Sequence, residues 1–213
     1  VAVADLDKDG YNDLVVVNRM VNSVAVLQGL GNGQFSTPQM DIPTGVSPRQ
    51  VILADLNQDG QLDAVVNNRV SEDISVLQGA TGLLGFLLPE TYFNSGESPV
   101  SVVAKDFNGD GQPDLAVACL RSHEIRVRLN LGGGTFGPDT IYPVNFQPAF
   151  LEAGDVNGDG RTDLLVSCLG FAGMSGSDYT PALVVLLGKA GGTFEPPIAT
   201  SLGTSGIRPY WLR

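Results

Sequence analysis

Four copies of one short loop, about fifty residues apart, constrain this chain more than any other feature of it. They read ADLDKDGYNDLVVV from Ala4, ADLNQDGQLDAVVN from Ala54, KDFNGDGQPDLAVA from Lys105 and GDVNGDGRTDLLVS from Gly154. The first aspartates of the four loops are Asp5, Asp55, Asp106 and Asp155, at intervals of 50, 51 and 49 residues. A period of this length means that the chain repeats one supersecondary unit, which must bury its apolar face against its neighbours. Other landmarks keep the same phase. Phe35, Phe86, Phe136 and Phe194 close a Gly-rich turn, and Pro48, Pro99, Pro148 and Pro209 lead into the next apolar strand.

Within the third period the pattern predicts four strands, over 100–104, 115–120, 125–131 and 140–144, with turns at 121–124 and 132–138 and a linker at 145–147. The first strand is almost wholly apolar, whereas the third alternates Ile125, Val127, Leu129 with Arg126, Arg128, Asn130. That contrast predicts an inner strand buried on both faces and outer strands with one wet side. Four-stranded units at this spacing are the pattern of propeller blades, whose sheets pack face to face. The expected fold is therefore all-β, a β-propeller of four-stranded antiparallel blades, with repeats over about 1–47, 48–98, 99–147 and 148–208 and residues 209–213 starting or closing a further blade. Composition agrees: 43% hydrophobic and 16% charged residues, with 27 Gly and 13 Pro, describe a folded, turn-rich chain. The fourth copy departs from the period, since 31 residues separate Asp163 from Phe194 against 22 or 23 elsewhere. The extra residues fall in GFAGMSGSDYTPA at 170–182, which reads as surface decoration or, alternatively, a binding loop.

The loops carry the chemistry. In the first, Asp5, Asp7, Asp9 and Asp13 stand at alternate positions, Gly10 follows the third, and Tyr11 offers a main-chain carbonyl at position seven. Six or seven oxygens in this arrangement suit calcium, while magnesium wants a stricter octahedron and keeps its waters. Zinc would call for His or Cys, which the loops lack. The other loops place Asn at position three: Asp55, Asn57, Asp59, Asp63; Asp106, Asn108, Asp110, Asp114; and Asp155, Asn157, Asp159, Asp163, with the carbonyls of Gln61, Gln112 and Arg161 at position seven. About four calcium ions per chain are expected, the tightest in loop one, which has four carboxylates against three in each of the others. Asp, Asn and Gly also mark ordinary solvated turns, but four copies in phase make that explanation weak. A helical calcium loop is excluded, because its acidic twelfth residue is replaced by Val16, Val66, Val117 and Val166 inside apolar runs.

With these residues in place the chain resembles the FG-GAP/VCBS repeat family, the calcium-binding blades of integrin α-subunit propellers and of many secreted bacterial proteins. The DxDxDGxxD-type loop followed by an apolar strand carries the likeness, supported by Gly33-Gln34-Phe35, Gly134-Thr135-Phe136 and Gly192-Thr193-Phe194. Copy two departs, reading TGLLGFLLPE around Phe86. The resemblance implies an extracellular or cell-surface adhesion or recognition module for a protein or glycan ligand, with calcium stiffening each blade. The alternative it leaves open is a lectin, or the propeller scaffold of a polysaccharide lyase or hydrolase.

The net charge of −11, with 12 Lys and Arg in all, argues against nucleic acid and anionic membrane surfaces as partners. Four divalent ions would neutralise most of it. No apolar run is long enough to span a bilayer. The chain opens at Val1 partway through a first strand and ends in Pro209-Tyr210-Trp211-Leu212-Arg213, the opening half of the same strand. The expectation is a piece cut from a longer precursor, its four copies closing as a compact unit or, alternatively, joining a larger ring by self-association.

Outside the loops no acid and base pair stands out, so an enzyme is not expected. His123, the single histidine, falls in a turn with no nucleophile to serve. Cys119 and Cys168, each five residues past the last loop Asp, are expected as buried free thiols, with a disulfide between them as the alternative. Tyr210 and Trp211 read as core residues of a closing strand or as a sugar platform. Arg19, Arg69 and Arg121 recur after the second strand, to meet an anionic ligand or to pair with local carboxylates.

Overall fold

In the computed structural model the described residues are 1–37, 41–80, 86, 91–169 and 181–202, with the backbone alone for 91 and 92. Each apolar run of the repeat becomes a strand. The first sheet comprises β1 (Ala2–Ala4), β2 (Asp13–Asn18), β3 (Ser23–Leu27) and β4 (Asp41–Pro43), and the second β5 (Pro48–Ala54), β6 (Asp63–Asn68), β7 (Asp73–Leu77) and β8 (Thr91–Asn94). The third has β9 (Pro99–Lys105), β10 (Asp114–Cys119), β11 (Glu124–Asn130) and β12 (Phe136–Pro143), and the fourth β13 (Pro148–Gly154), β14 (Asp163–Cys168), β15 (Ala182–Leu186) and β16 (Ile198–Ser201). All four sheets are antiparallel meanders with strands in sequence order. Among the described residues there is no helix.

The chain forms two compact units, Val1–Ser95 with the first two sheets and Gly96–Arg213 with the other two. Each has its own apolar core between its two sheets. In the N-terminal unit Val15, Val24 and Ile42 of the first sheet meet Val51, Ala64, Val66, Leu77 and Phe86 of the second. In the C-terminal unit Ala116, Ala118, Ile125 and Val127 meet Leu151, Leu164, Val166, Val184 and Leu186. There Phe194 lies edge-on to Phe107 and Tyr142, at centroid distances of 5.5 and 5.6 Å, and its N–H donates to the Tyr142 hydroxyl at 3.0 Å.

Three expectations about strands need correction. The fourth strand of the third repeat starts at Phe136, four residues ahead of 140, because a register shift between Arg128 and Asn130 lets Asn130 pair with Phe136. The strand buried throughout is the second of its sheet: every residue of β6 and β10 is buried, whereas β9 is buried only as far as Val102. β9 is the edge of its sheet and β10 has neighbours on both sides. Strand three follows its expected alternation only as far as Arg128: past the register shift Leu129 is half-buried, and Asn130, expected on the wet side, is buried. Ile125 and Val127 are buried, while Arg126 and Arg128 turn outward and bond Asp139 at 3.2 and 2.7 Å.

Most of the 170–182 insertion, the copy-two turn apart from Phe86, and the segment with Pro209, Tyr210 and Trp211 lie outside the described residues.

Candidate metal centre

Each aspartate loop joins the first two strands of its sheet. The strand pairs close at Ala4↔Asp13, Ala54↔Asp63, Lys105↔Asp114 and Gly154↔Asp163, so loop position nine is the first residue of the second strand. The twelfth positions, Val16, Val66, Val117 and Val166, lie inside β2, β6, β10 and β14. The turn itself needs two residues of left-handed backbone. Position six is Gly in every copy, with φ of 93° at Gly10, 82° at Gly60, 85° at Gly111 and 82° at Gly160. Position four adopts the same conformation at Lys8, Gln58, Gly109 and Gly158.

The aspartates fold the loop around themselves. At position one, Asp5, Asp55, Asp106 and Asp155 each accept the position-six N–H, at 3.0, 2.9, 2.8 and 2.9 Å. At position five, Asp9, Asp59, Asp110 and Asp159 accept the N–H of Tyr11, Gln61, Gln112 and Arg161 at 2.7 to 2.9 Å. At position three the side-chain oxygens of Asp7, Asn57, Asn108 and Asn157 accept the position-five N–H.

Position nine is different in kind. Asp13, Asp63, Asp114 and Asp163 are buried, at 2%, 1%, 0% and 0% exposure. One oxygen of each accepts the N–H of the residue after position one, namely Leu6, Leu56, Phe107 or Val156. The other accepts the N–H of Gly29, Gly79, Asn130 or Gly188, at the end of the third strand or just past it, at 2.7 to 2.8 Å. This carboxylate thus fastens the loop to the following hairpin. The price of its burial shows in its acidity: desolvation raises the pKa of Asp63 and Asp114, against the lowering effect of their two backbone bonds. Exposed Asp155 goes the other way, lowered first by its hydrogen bond from Gly160 N–H.

Sequence reasoning does not reach the donors Gly29, Gly79 and Gly188, and it places Asn130 on the wet face of its strand. Their signal is there in the Leu-Gln-Gly of 27–29 and 77–79, the Leu-Asn of 129–130 and the Leu-Gly of 187–188. At the three glycines a Cβ would strike the carbonyl oxygens of Asn12, Leu62 and Thr162.

In loop one, Asp5, Asp7 and Asp13 each present a carboxylate oxygen, and the three atoms lie within 4.8 Å of one another. Ligands held at calcium's usual bond lengths are at most about 5 Å apart, so three oxygens at this spacing fit a single ion. Asp9 is not in that group. Among the described residues no second trio of acidic, thiol or imidazole side chains gathers so closely. The other loops carry an amide at position three, a weaker but still oxygen-bearing donor. The donor set is all oxygen in every copy, which fits a hard cation.

Of the remaining candidates, Cys119 and Cys168 are free and buried, and burial pushes each thiol up to about 12. His123 is half-buried in its turn, with φ of 55°, and its carbonyl accepts the N–H of Val144. The expected match of three arginines fails by one residue. Arg69 N–H donates to Ser47 O at 3.0 Å, and the corresponding bond to Ser98 O comes from Leu120, not from Arg121, which bonds Glu97 O. Strand register is set from the buried aspartate, and one step along an extended chain turns a side chain to the opposite face.

A profile of the FG-GAP-like repeat matches residues 5–66 and 106–166. No curated protein matches the chain significantly. Among solved structures it is similar to an Agrocybe aegerita lectin that recognises non-reducing terminal N-acetylglucosamine, with TM-score 0.62 and 20% identity over 92% of this chain and 50% of that one. It is also similar to the V. cholerae biofilm matrix protein Bap1, with TM-score 0.55 and 18% identity over 92% of this chain and 28% of that one. The chain therefore spans at most half the length of either. At such identities the likeness concerns the fold.

Proposed function

The chain belongs to the FG-GAP-like repeat family, and from that premise we propose that it is a calcium-binding β-propeller module, its four sheets acting as blades and its role being recognition of a protein or glycan outside the cell. The observation that carries the proposal is the convergence of Asp5, Asp7 and Asp13 on a space the size of one calcium ion. The same loop, with the same backbone bonds to positions one, five and nine, recurs in the other three copies. Asp9 and the Tyr11 carbonyl would complete the first set; Asp55, Asn57, Asp59, Asp63 and Gln61, then Asp106, Asn108, Asp110, Asp114 and Gln112, then Asp155, Asn157, Asp159, Asp163 and Arg161 would form the others. A cation there offsets the mutual repulsion of carboxylates held a few ångströms apart, and so stiffens the hairpin between the first two strands. The lectin and the biofilm protein, as proteins of similar fold, are compatible with a recognition role.

The test is a calcium titration by calorimetry joined to melting curves with and without EDTA. At calcium a hundredfold above Kd each site adds about 2.7 kcal/mol, so chelation should lower Tm by roughly 5 °C or more. Asp7→Asn should remove the tightest of the measured affinities. Melting that is indifferent to EDTA, with no calcium heat, would end the proposal.

A further inference from the structure

A second polar site lies at the far end of the N-terminal unit from its aspartate loops. Arg19 and Arg69 each stand one residue past the second strand of their sheets, and Arg49 is the second residue of β5. From Arg49, β5 runs on to Ala54 and loop two, a distance of about 17 Å. The carboxylates of the loops are therefore out of reach.

A cleft of about 150 Å³ opens here, lined by Val17, Arg19, Ser47, Pro48, Arg49 and Arg69. Three of the six residues are arginines and none is acidic, in a chain whose net charge is −11. The floor is fixed by Ser47, which is buried and held at φ of 61°, a conformation unusual for a residue with a side chain. Its N–H donates to Asn22 Oδ1 at 2.8 Å, its carbonyl accepts from Arg69 N–H at 3.0 Å, and its hydroxyl accepts from Arg19 Nε at 2.9 Å. That last bond aims the Arg19 guanidinium and leaves the hydroxyl its own hydrogen. Partial desolvation, followed by the charges of Arg69 and Arg19, lowers the pKa of Arg49, as expected where like charges are held together.

The equivalent place in the C-terminal unit is apolar. Leu120 and Leu169 stand where Arg19 and Arg69 do, as the bonds Leu120 N–H to Ser98 O and Leu169 N–H to Gln147 O show, and Ala149 takes the place of Arg49 after Pro148. The fold thus needs no arginine at these positions.

We propose that this cleft binds a single oxyanion, a carboxylate, sulfate or phosphate group, gripped by the guanidinium forks of Arg19, Arg49 and Arg69 against the Val17 and Pro48 wall. Planar guanidinium groups match such anions with paired hydrogen bonds, and 150 Å³ holds the anionic group with part of a small ring behind it. The site does not depend on calcium. Its ligand sits at the opposite strand ends, so loss of one binding event leaves the other measurable.

The test titrates the protein with sodium sulfate, sodium phosphate and sodium glucuronate, each against sodium chloride of equal ionic strength, following the guanidinium NMR signals and Tm. At least one oxyanion should shift the signals of Arg19, Arg49 and Arg69 saturably and raise Tm above the chloride control. Arg49→Gln, at an exposed position, should weaken that binding roughly tenfold while Arg121→Gln leaves it unchanged. A preference for glucuronate over the inorganic ions identifies a saccharide carboxylate as the source, and the reverse identifies a free or ester oxyanion. Equal response to chloride, or binding that survives Arg49→Gln together with Arg69→Gln, overturns the proposal.

Discussion

The two units follow one blueprint and finish it differently. Val1–Ser95 and Gly96–Arg213 each hold two four-stranded meanders, each with an aspartate loop between its first two strands. What lies between the sheets differs. The N-terminal core is aliphatic apart from Phe86, while the C-terminal core adds Phe107, Phe194 and Cys168, with Tyr142 packed against it. At the strand ends away from the loops the N-terminal unit sets arginines and the C-terminal unit sets leucines. In the loops the N-terminal unit puts Lys8 and Gln58 in the left-handed fourth position, and the C-terminal unit puts Gly109 and Gly158. Positions one, five, six and nine are the same in all four copies, and position three keeps a side-chain oxygen as Asp or Asn, because the loop's backbone bonds require them.

Alkaline pH should separate the units most. Cys119 and Cys168 are both buried in the C-terminal unit and their thiols are pushed up to about 12 by burial, from 9.0 in an unfolded chain. A pKa raised on folding means that the folded state holds its proton longer. The resulting stability is fully present below pH 9 and drains away as pH climbs toward 12, at about 1.4 kcal/mol per thiol for each pH unit. Urea unfolding between pH 9 and 11 should therefore lose several kcal/mol. Replacing both cysteines by Ala should flatten that fall. A fall of the same steepness in the double variant would show that burial of the thiols is not its cause.

The buried aspartates offer the next largest effect, and here the units should agree. Asp63→Ala and Asp163→Ala each leave two backbone N–H groups without their acceptor, those of Leu56 and Gly79 in one case and of Val156 and Gly188 in the other. A stranded buried donor costs about 1–3 kcal/mol, so each substitution should cost roughly 3 kcal/mol in the presence of EDTA. Working without calcium isolates the hydrogen bonds from any ion. If one variant unfolds the protein and the other is neutral, the equivalence of the copies is false.

Much of this blueprint was legible in the chain itself, and the reasons are local. A four-stranded repeat can be read because its apolar strands and its Gly and Asp turns are determined by neighbours a few residues away. Boundaries in the third repeat came within one residue for three strands out of four. β12 escaped because its start depends on the irregular pairing of Asn130 with Phe136, a contact that residue types do not announce. The loop aspartates are plain from spacing, but not that position nine is a buried staple, since its partners Gly29, Gly79 and Asn130 lie sixteen residues on, at or past the far end of the next strand. Arg121 was misplaced by a single residue, enough to reverse its direction in a strand-end register. Arg49 carries no signal in the sequence, because its arginine neighbours in the cleft, Arg19 and Arg69, follow other strands.

The smallest difference between the units is the most direct measure of how alike the loops are. Position four has a left-handed backbone in all four copies, with φ of 64° at Lys8, 61° at Gln58, 83° at Gly109 and 78° at Gly158. A residue with a Cβ pays for that conformation, and Gly does not. At Gly109 no heavy atom lies within 4 Å of where a Cβ would be, so a side chain there meets no obstacle and only the backbone preference is at stake. Gly109→Gln should therefore cost about 1 kcal/mol, and Gln58→Gly should gain up to about 1 kcal/mol, less whatever flexibility the glycine adds to the unfolded chain. Lys8 adds a side-chain bond, its ammonium donating to the Gly60 carbonyl of the neighbouring loop at 2.9 Å. Lys8→Gly exchanges that bond for backbone ease, and its gain should fall below the roughly 1 kcal/mol that backbone preference alone would give. A gain of about 1 kcal/mol at position 8 would mean that the Lys8 bond contributes nothing in solution.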